Sequence, residues 1–526
     1  MTNSIGEIAD AEFILATGTN TTEAHPVIGI QVKKALRNGA SLAVVDPRKT
    51  EMAEIANYHL QIKSGSDIAL FNGLANVIIA EELWDKEFVE QRTEEFAAYK
   101  EKVAQYTPEY VESITGVPVE IIKEVARGYA QAKSATILYT MGITQHICGT
   151  HNVFSAANLA MLCGQIGKES SGINPLRGQN NVQGACDMGA LPVFYTAYQP
   201  VAVEANRKKY AEFWNVKELP DKPGLTVGDI IGGAGEKIKA LYIMGENPIL
   251  SDPDANHVMH SLEKLDFMVV QDLFLTETAQ LADVVLPAAS FAEKDGTFSN
   301  TERRVQLLRK AIEPVGDAKA DWEIICMVAT AMGYPMQYNS ASDIMDEIAK
   351  ITPSYAGISY ARLEEGSLQW PCPTADHPGT KFLHSGKFAR GLGKFHPVDY
   401  IAPDEMPDEE YPLVLSTGRR RYHYHTGTMS QRTGALEVFY PEEFLEISRE
   451  DAEKLGVCDG DKVKVSSRRG TVEVAAWITD RVVPGLVFTS FQYPDVPINK
   501  LTNPAFDPIS KIPEYKVCAV KVEKAS

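Results

Sequence analysis

The chain has 526 residues, 44% hydrophobic and 23% charged, which fits a globular protein of roughly three or four domains and excludes a disordered or fibrous one. A formal net charge of −19 argues against general nucleic-acid binding, no apolar run is long enough to span a bilayer, and the polar, acidic residues after Met1 do not read as a signal peptide. The seven cysteines (Cys148, Cys163, Cys186, Cys326, Cys372, Cys458 and Cys518) are scattered, odd in number and without a CxxC pair, which rules out a disulfide scaffold and favours a reducing, cytoplasmic setting.

The first part alternates strand and helix. Residues 13–16 read as a buried strand ending at Gly18, and 25–36 as a helix stopped by Asn38-Gly39. A second strand at 42–45 ends at Asp46-Pro47-Arg48. Helical spacing follows at 67–81, 86–105 and 117–132, the last with Pro118 in its first turn. Residues 136–141 are another apolar strand and 152–166 another helix. Strands alternating with helices predict a mostly parallel, doubly wound sheet.

The same grammar recurs further on. A strand at 240–244 runs into Gly245-Glu246-Asn247-Pro248, a helix follows at 254–264, and a strand at 268–270 ends at Gln271-Asp272. Each copy has Gly-x-Asn after its first strand (Gly18 and Asn20, Gly245 and Asn247) and an acid after its second, 28 and 27 residues beyond the glycine. Phosphates bind at such first turns, and an acid after the second strand takes ribose or base hydrogen bonds. The matched spacing suggests two nucleotide-type sites, against the plainer reading that α/β units simply resemble one another. From about 405 the character changes. Short β-prone runs at 413–415, 445–447, 463–465, 472–476 and 487–490, separated by turn signals, predict a β-barrel. A proline-rich stretch around 370–405 is the connection.

Several clusters could carry chemistry. The stretch 177–191, RGQNNVQGACDMGAL, shows neither helical nor strand periodicity. Its amides are costly to bury without partners, and its glycines allow close backbone approach. It reads as a loop built around something polar, with Arg177 offering a planar fork to an oxyanion, or as a polar surface loop. His146, Cys148 and His151 have metal-like spacing, but a structural zinc site wants four ligands; the alternative is a pocket lining at the sheet edge. In the run 419–428, His423 and His425 share a face if the backbone is extended, while Arg420 and Arg421 read as a solvated basic turn. Lys63-Ser64-Gly65-Ser66-Asp67 reads as a turn with Asp67 near a helix start, either capping it or holding a ligand. No nucleophile elbow, P-loop or HExxH motif is present, so nucleophilic hydrolysis has no support.

With RGQNNVQGACDMGALP, MGITQHICGT (141–150), VVDPRK (44–49), KSGSD (63–67), YIMGENP (242–248) and the long run 269–300 together, the chain closely resembles molybdopterin-dependent formate dehydrogenases of the dimethyl sulfoxide reductase superfamily. The tail segments 415–429, 451–463 and 499–522 resemble them too, so the likeness covers essentially the whole chain. It implies an α/β fold: two doubly wound nucleotide-binding-like domains, 1–178 and 179–404, and a C-terminal β-barrel cap, 405–526, without the family's N-terminal iron–sulfur domain. It implies two molybdopterin guanine dinucleotides around one molybdenum or tungsten, and reversible oxidation of formate to carbon dioxide, a proton and two electrons. By the same resemblance Arg177 holds formate, and Gln179 and Gly142 lie near the metal and pterins. Gly18, Asn20, Asp46, Arg48, Gly65 and Asp67 bind one guanine dinucleotide, and Asn247, Gln271, Asp272 and Asp321 the other. Arg419, His423, His425, Thr426, Asn499, Tyr515 and Lys516 close over the pterins from the cap.

Relatives begin with a four-cysteine 4Fe–4S motif and later carry a cysteine or selenocysteine metal ligand followed by histidine. Met1 aligns shortly after that ligand. The resemblance therefore implies the downstream part of a selenocysteine enzyme, with an in-frame UGA upstream in the DNA and no formate:viologen activity from this chain alone. It implies partners too: iron–sulfur electron-transfer subunits, or a hydrogenase or NAD-linked partner. The electron acceptor, the choice of Mo or W, and the physiological direction stay open. Two competing readings are another molybdopterin oxidoreductase, such as a nitrate reductase, and a non-catalytic structural subunit of a redox complex.

Overall fold

The computed structural model describes residues 1–525. Contacts divide the chain into two compact units, one of 1–178, 250–256 and 382 onward, the other of 179–249 and 257–381. No helix among the described residues is long and apolar enough to cross a membrane.

The first unit opens with β1 (Phe13–Thr17), α1 (Pro26–Arg37), β2 (Ser41–Val45), β3 (Tyr58–Leu60), α2 (Asp67–Ala80), α3 (Val119–Gln131), β4 (Ala135–Tyr139), α4 (Gly149–Leu162) and β5 (Gly172–Pro175). The five strands form one parallel sheet in the order β3-β2-β1-β4-β5. Both faces are covered, which is why the strands read as continuous apolar runs. Phe13, Leu15, Val45 and Ile137 enter one core, and Ile14, Ala16, Val44 and Leu138 enter the other. Strand alternation sends neighbours to opposite faces.

Three expectations change here. The single helix expected over 86–105 is two, Lys86–Arg92 and Phe96–Val103. Between them Thr93–Glu94 pairs with Gly393–Lys394, and Glu95 at φ +66° resets the helical phase. Pro118 stands one residue before α3, not within its first turn. A further helix, Pro108–Thr115, was not anticipated, although Thr107 caps its start and Gly116 at φ +79° ends it.

The second unit contains α5 (Val182–Asp187), β6 (Ala240–Met244), β7 (Phe267–Asp272), β8 (Val284–Pro287) and α6 (Asp321–Ala331). The strands make a three-stranded parallel sheet, β8-β7-β6. Ile243, Met268 and Val270 pack under it with Val258 and Leu262. β7 takes in Gln271 and Asp272, which were expected just beyond its end. The stretch 177–191 is not wholly irregular as expected: α5 lies inside it, started by Asn181 at φ +64°.

The first unit ends in a closed barrel of β9 (Leu413–Gly418), β10 (Phe444–Ile447), β11 (Lys462–Ser466), β12 (Thr471–Ile478), β13 (Leu486–Ser490) and β14 (Cys518–Lys524), ordered β9-β13-β10-β12-β11-β14. β14 closes the barrel on β9 and was not anticipated as a strand. Leu415, Leu445, Val463, Val474, Val487 and Val520 belong to its apolar core.

Candidate functional site

In the first unit the carboxyl ends of β1, β2, β4 and β5 stand in register, the edge at which ligands bind in such sheets. Two of the connecting turns touch backbone to backbone. Gly142 N donates to Gly18 O at 3.1 Å, and Thr140 Oγ1 donates to the same oxygen at 2.6 Å. Gly18 has φ +53°, and a Cβ on Gly142 would stand 2.4 Å from Gly18 Cα, so neither position tolerates a side chain. Gly65, at φ +82°, packs against the Pro403 ring in the same way.

The segment leaving β1 holds an unusual concentration of orphaned groups. The hydroxyls of Thr17, Thr19, Thr21 and Thr22 and both amide atoms of Asn20 are buried and have no hydrogen-bond partner within the protein. Each such group costs about 1–3 kcal/mol unless something pairs with it. Five consecutive and near-consecutive side chains of this kind are chemically suited to a polar ligand lying along 17–22. Ser64 Oγ, beside Gly65, is orphaned as well.

Charge surrounds this edge. Asp46 accepts from Arg48 N at 2.9 Å, and burial pushes its carboxyl up against the opposing charges of Arg48, His59 and Lys516. Asp67 opens α2; burial lifts it to about 6, opposed by His146. Lys516 donates to Thr417 O at 2.6 Å, and burial, with Arg419 beside it, pulls its ammonium down to about 7. The Arg419 guanidinium lies against Gly178, where a Cβ would meet Nη2 at 2.7 Å. Arg177 is half-buried, and its carbonyl accepts from His25 Nε2 at 2.8 Å. That bond fixes the proton on Nε2 and leaves buried Nδ1 without a partner. Burial lowers His25, and it holds His425 down at about 4, with Arg419 adding to both. The result is two neutral imidazoles among buried cations, an environment that favours a polyanion.

The rest of the 419–426 run departs from expectation. His425 has φ +52° and no strand runs through it, so His423 and His425 do not share a strand face. His423 instead faces Tyr440 O and Ser430 Oγ at 3.2 and 3.3 Å, and His425 stands edge-on to Phe491. Arg420 is not a solvated turn residue: it is buried and paired with Glu443 and Glu446, each at 3.1 Å. Arg421 is more exposed and pairs with Glu51 at 2.7 Å. Thr426 Oγ1 meets Thr428 Oγ1 at 3.1 Å. Arg48 grips Glu446 with two bonds, 2.7 and 3.0 Å, so its fork is committed within the protein. Asn499 Nδ2 donates to Leu250 O at 2.7 Å, and Tyr515 Oη to Ser251 O at 2.8 Å. No group of three His, Cys, Asp or Glu among the described residues could hold a metal ion, which removes the zinc reading of His146, Cys148 and His151. His146 Nε2 faces Gly142 O at 3.0 Å, and burial pushes the Cys148 thiol up to about 12.

The second unit assembles its own predicted residues. Gly245, at φ +64°, turns the chain out of β6. Asn247 accepts from Thr278 Oγ1 at 2.7 Å and donates to Glu277 at 2.8 Å. Fully buried Gln271 donates to Asp321 at 2.8 Å and accepts from Tyr242 Oη at 2.5 Å, and Lys294 pairs with Asp321. Asp272 accepts from Leu273 N at 2.6 Å, and Gln179 opens this unit, two residues beyond Arg177. Thr17, Thr19, Thr21, Thr22 and His25 also bring unpartnered polar atoms to the first unit's edge and were not singled out as candidates from the sequence. The TGTNTT run at a strand end was the available signal.

Comparison with known proteins shows the family. The family described as molybdopterin oxidoreductase matches residues 1–331, and the "Molydopterin dinucleotide binding domain" matches 413–519. The chain is 52% identical over 528 residues to F420-dependent formate dehydrogenase 1 subunit alpha of Methanococcus maripaludis, covering 100% of this chain and 78% of that one. It is 44% identical to formate dehydrogenase H of Escherichia coli, covering 99% and 74%. Among solved structures, acetylene hydratase from Pelobacter acetylenicus superposes with a TM-score of 0.77 at 21% identity, covering 100% of this chain and 80% of that one; at that identity the likeness concerns the fold.

Proposed function

This chain belongs to the molybdopterin oxidoreductase family, and from that membership we propose how its residues divide the work of oxidising formate. It is a molybdenum- or tungsten-dependent formate dehydrogenase catalytic subunit, binds a molybdopterin dinucleotide, and as an alpha subunit works with other subunits. The observation that carries this is the agreement with formate dehydrogenase alpha subunits along the entire chain.

Formate oxidation releases carbon dioxide, a proton and two electrons; no side chain accepts two electrons, and the pterin-held metal supplies that chemistry when bound. The residues at the sheet edge and in the second unit fit such a group. The orphaned hydroxyls of 17–22 and the Asn20 amide offer hydrogen bonds to one dinucleotide, with Asp46 and Asp67 for its ribose and base and Gly18, Gly65 and Gly142 admitting it closely. Asn247, Gln271, Asp272 and Asp321 would hold a second guanine dinucleotide, and Gln179 would face the pterins. Arg419 and Lys516 place buried positive charge toward the cofactor, with His423, His425, Thr426, Asn499 and Tyr515 shaping the cap side. Arg177 presents its fork to the carboxylate of formate. The product carries no charge, so the same guanidinium that captures formate has no ionic grip on carbon dioxide. Electrons leave to iron–sulfur subunits or to a hydrogenase or NAD-linked partner. The names of relatives at 50–52% identity add F420 as an acceptor.

In the assembled holoenzyme, Arg177→Lys raises KM for formate by about tenfold or more while kcat falls less, because a point charge replaces a bidentate fork. An unchanged KM sinks the assignment of Arg177. Elemental analysis of the same preparation distinguishes molybdenum from tungsten.

A further inference from the structure

Asp187 closes α5, ten residues beyond Arg177, and its carboxylate is fully buried. Four neutral donors converge on it: Tyr355 Oη and Trp370 Nε1 on Oδ2, both at 2.6 Å, Gln183 Nε2 on Oδ1 at 2.8 Å, and the Tyr198 hydroxyl. Burial pushes its carboxyl up, and these hydrogen bonds, rather than an ion pair, oppose the shift. A carboxylate held this way is a poor device for stability alone, since apolar packing of the same volume does as well. It is a good device for direction, because Tyr355 and Trp370, both outside α5, fix the orientation of the helix end.

The other end of α5 is fixed by the same network. Asn181 Oδ1 accepts from Ser299 N at 3.0 Å, and Ser299 Oγ lies 3.4 Å from the Tyr355 hydroxyl that binds Asp187. Asn181 sits at φ +64°, in the left-handed region that asparagine tolerates better than most non-glycine residues. Gly184 is required for this: a Cβ there would stand 2.1 Å from Asn181 Oδ1. The segment 181–187 is therefore pinned at both ends through one tyrosine, and residues 179 and 180 link that pinned segment to Gly178 and Arg177.

We propose that Asp187 is a positioning residue for formate oxidation: through Tyr355 and Ser299 it holds α5 and so sets the course of 179–181, the residues that follow the formate-binding Arg177. The inference rests on the reading that Arg177 holds formate. Tyr355 is the hinge of the device, as it joins the two pinned ends.

The test measures kcat and KM for formate, per bound cofactor, in assembled enzyme carrying Tyr355→Phe, Asp187→Asn or Asp187→Ala, with Arg177→Lys alongside. Tyr355→Phe is expected to raise KM about fivefold and Asp187→Ala about twentyfold or more, with kcat falling less, as small misplacements of a binding group do. Asp187→Asn, which keeps one acceptor for Tyr355 and Trp370, should fall between the unaltered enzyme and Asp187→Ala. A purely structural role lowers Tm and cofactor loading but leaves the constants per bound cofactor unmoved, and that result overturns the proposal. Should Asp187→Ala fail to assemble, Tyr355→Phe and Asp187→Asn decide on the same criterion. If Arg177→Lys leaves KM unchanged, the reading of Arg177 falls and this inference with it. If Arg177→Lys raises KM and the network variants do not, only the inference falls.

Discussion

Desolvation shifts both Lys516 and Asp67 in the first unit, yet they bend stability with pH in opposite directions. Lys516, pulled down to about 7, sheds its proton earlier in the folded chain than in the unfolded one. Above about 7 the unfolded chain binds more protons, so stability rises with pH; below about 7 the full penalty remains. Asp67, lifted to about 6, keeps its proton longer when folded, so stability falls as pH rises from the ordinary carboxylate range through about 6, and the penalty is complete above that. In chain prepared without cofactor, Lys516→Met should raise Tm at pH 6–7 by a few degrees and flatten its rise toward alkaline pH. Asp67→Asn should raise Tm at pH 8 and leave it unaltered near pH 3. An unchanged Tm-against-pH profile in both variants removes this account. The sequence made Asp67 visible as a residue near a helix start but Lys516 only through family likeness, because burial by a distant segment is not written locally. The orphaned threonines of 17–22 were legible in principle, since hydroxyls crowding a strand end have few other uses.

At the scale of elements, the turn after β2 and strand β10 are joined by one buried carboxylate. Glu446 is fully buried and takes Arg48 at 2.7 Å, Arg420 at 3.1 Å and Arg481 at 3.8 Å, while Arg48 stacks on Phe488, its Cζ 3.4 Å from the ring centroid. Removing one partner of such a cluster strands the others, so Glu446→Ala should cost about 3–5 kcal/mol in denaturant unfolding. A loss under about 1 kcal/mol would show that the arginines find other partners. The strands at 13, 42 and 240 were readable because continuous apolar runs bounded by glycine have few alternatives. The split at Thr93–Glu94 was not, because it depends on pairing with Gly393–Lys394, three hundred residues away by sequence. Arg420 was misread for the same reason: its carboxylates lie 23 and 26 residues downstream, on elements whose pairing no local pattern reports.

The whole chain divides into a unit built from both of its flanks and a unit built from its middle, with the short stretch 250–256 returning to the first. Each unit has its own apolar core, so thermal unfolding of cofactor-free chain should show two transitions. Glu446→Ala should lower the one that includes the barrel and leave the other within about a degree. A single transition that shifts as a whole argues against independent units. The chain order also imposes a schedule. The sheet of 1–178 leaves the ribosome about 200 residues before 382 onward, which at 5–20 residues per second is a wait of roughly 10–40 s. Throughout that interval Arg48 has no Glu446 to bind, and the orphaned hydroxyls of 17–22 lack the cap that carries Lys516 and Arg419. The nascent chain thus holds its first sheet for tens of seconds with the 17–22 segment uncapped.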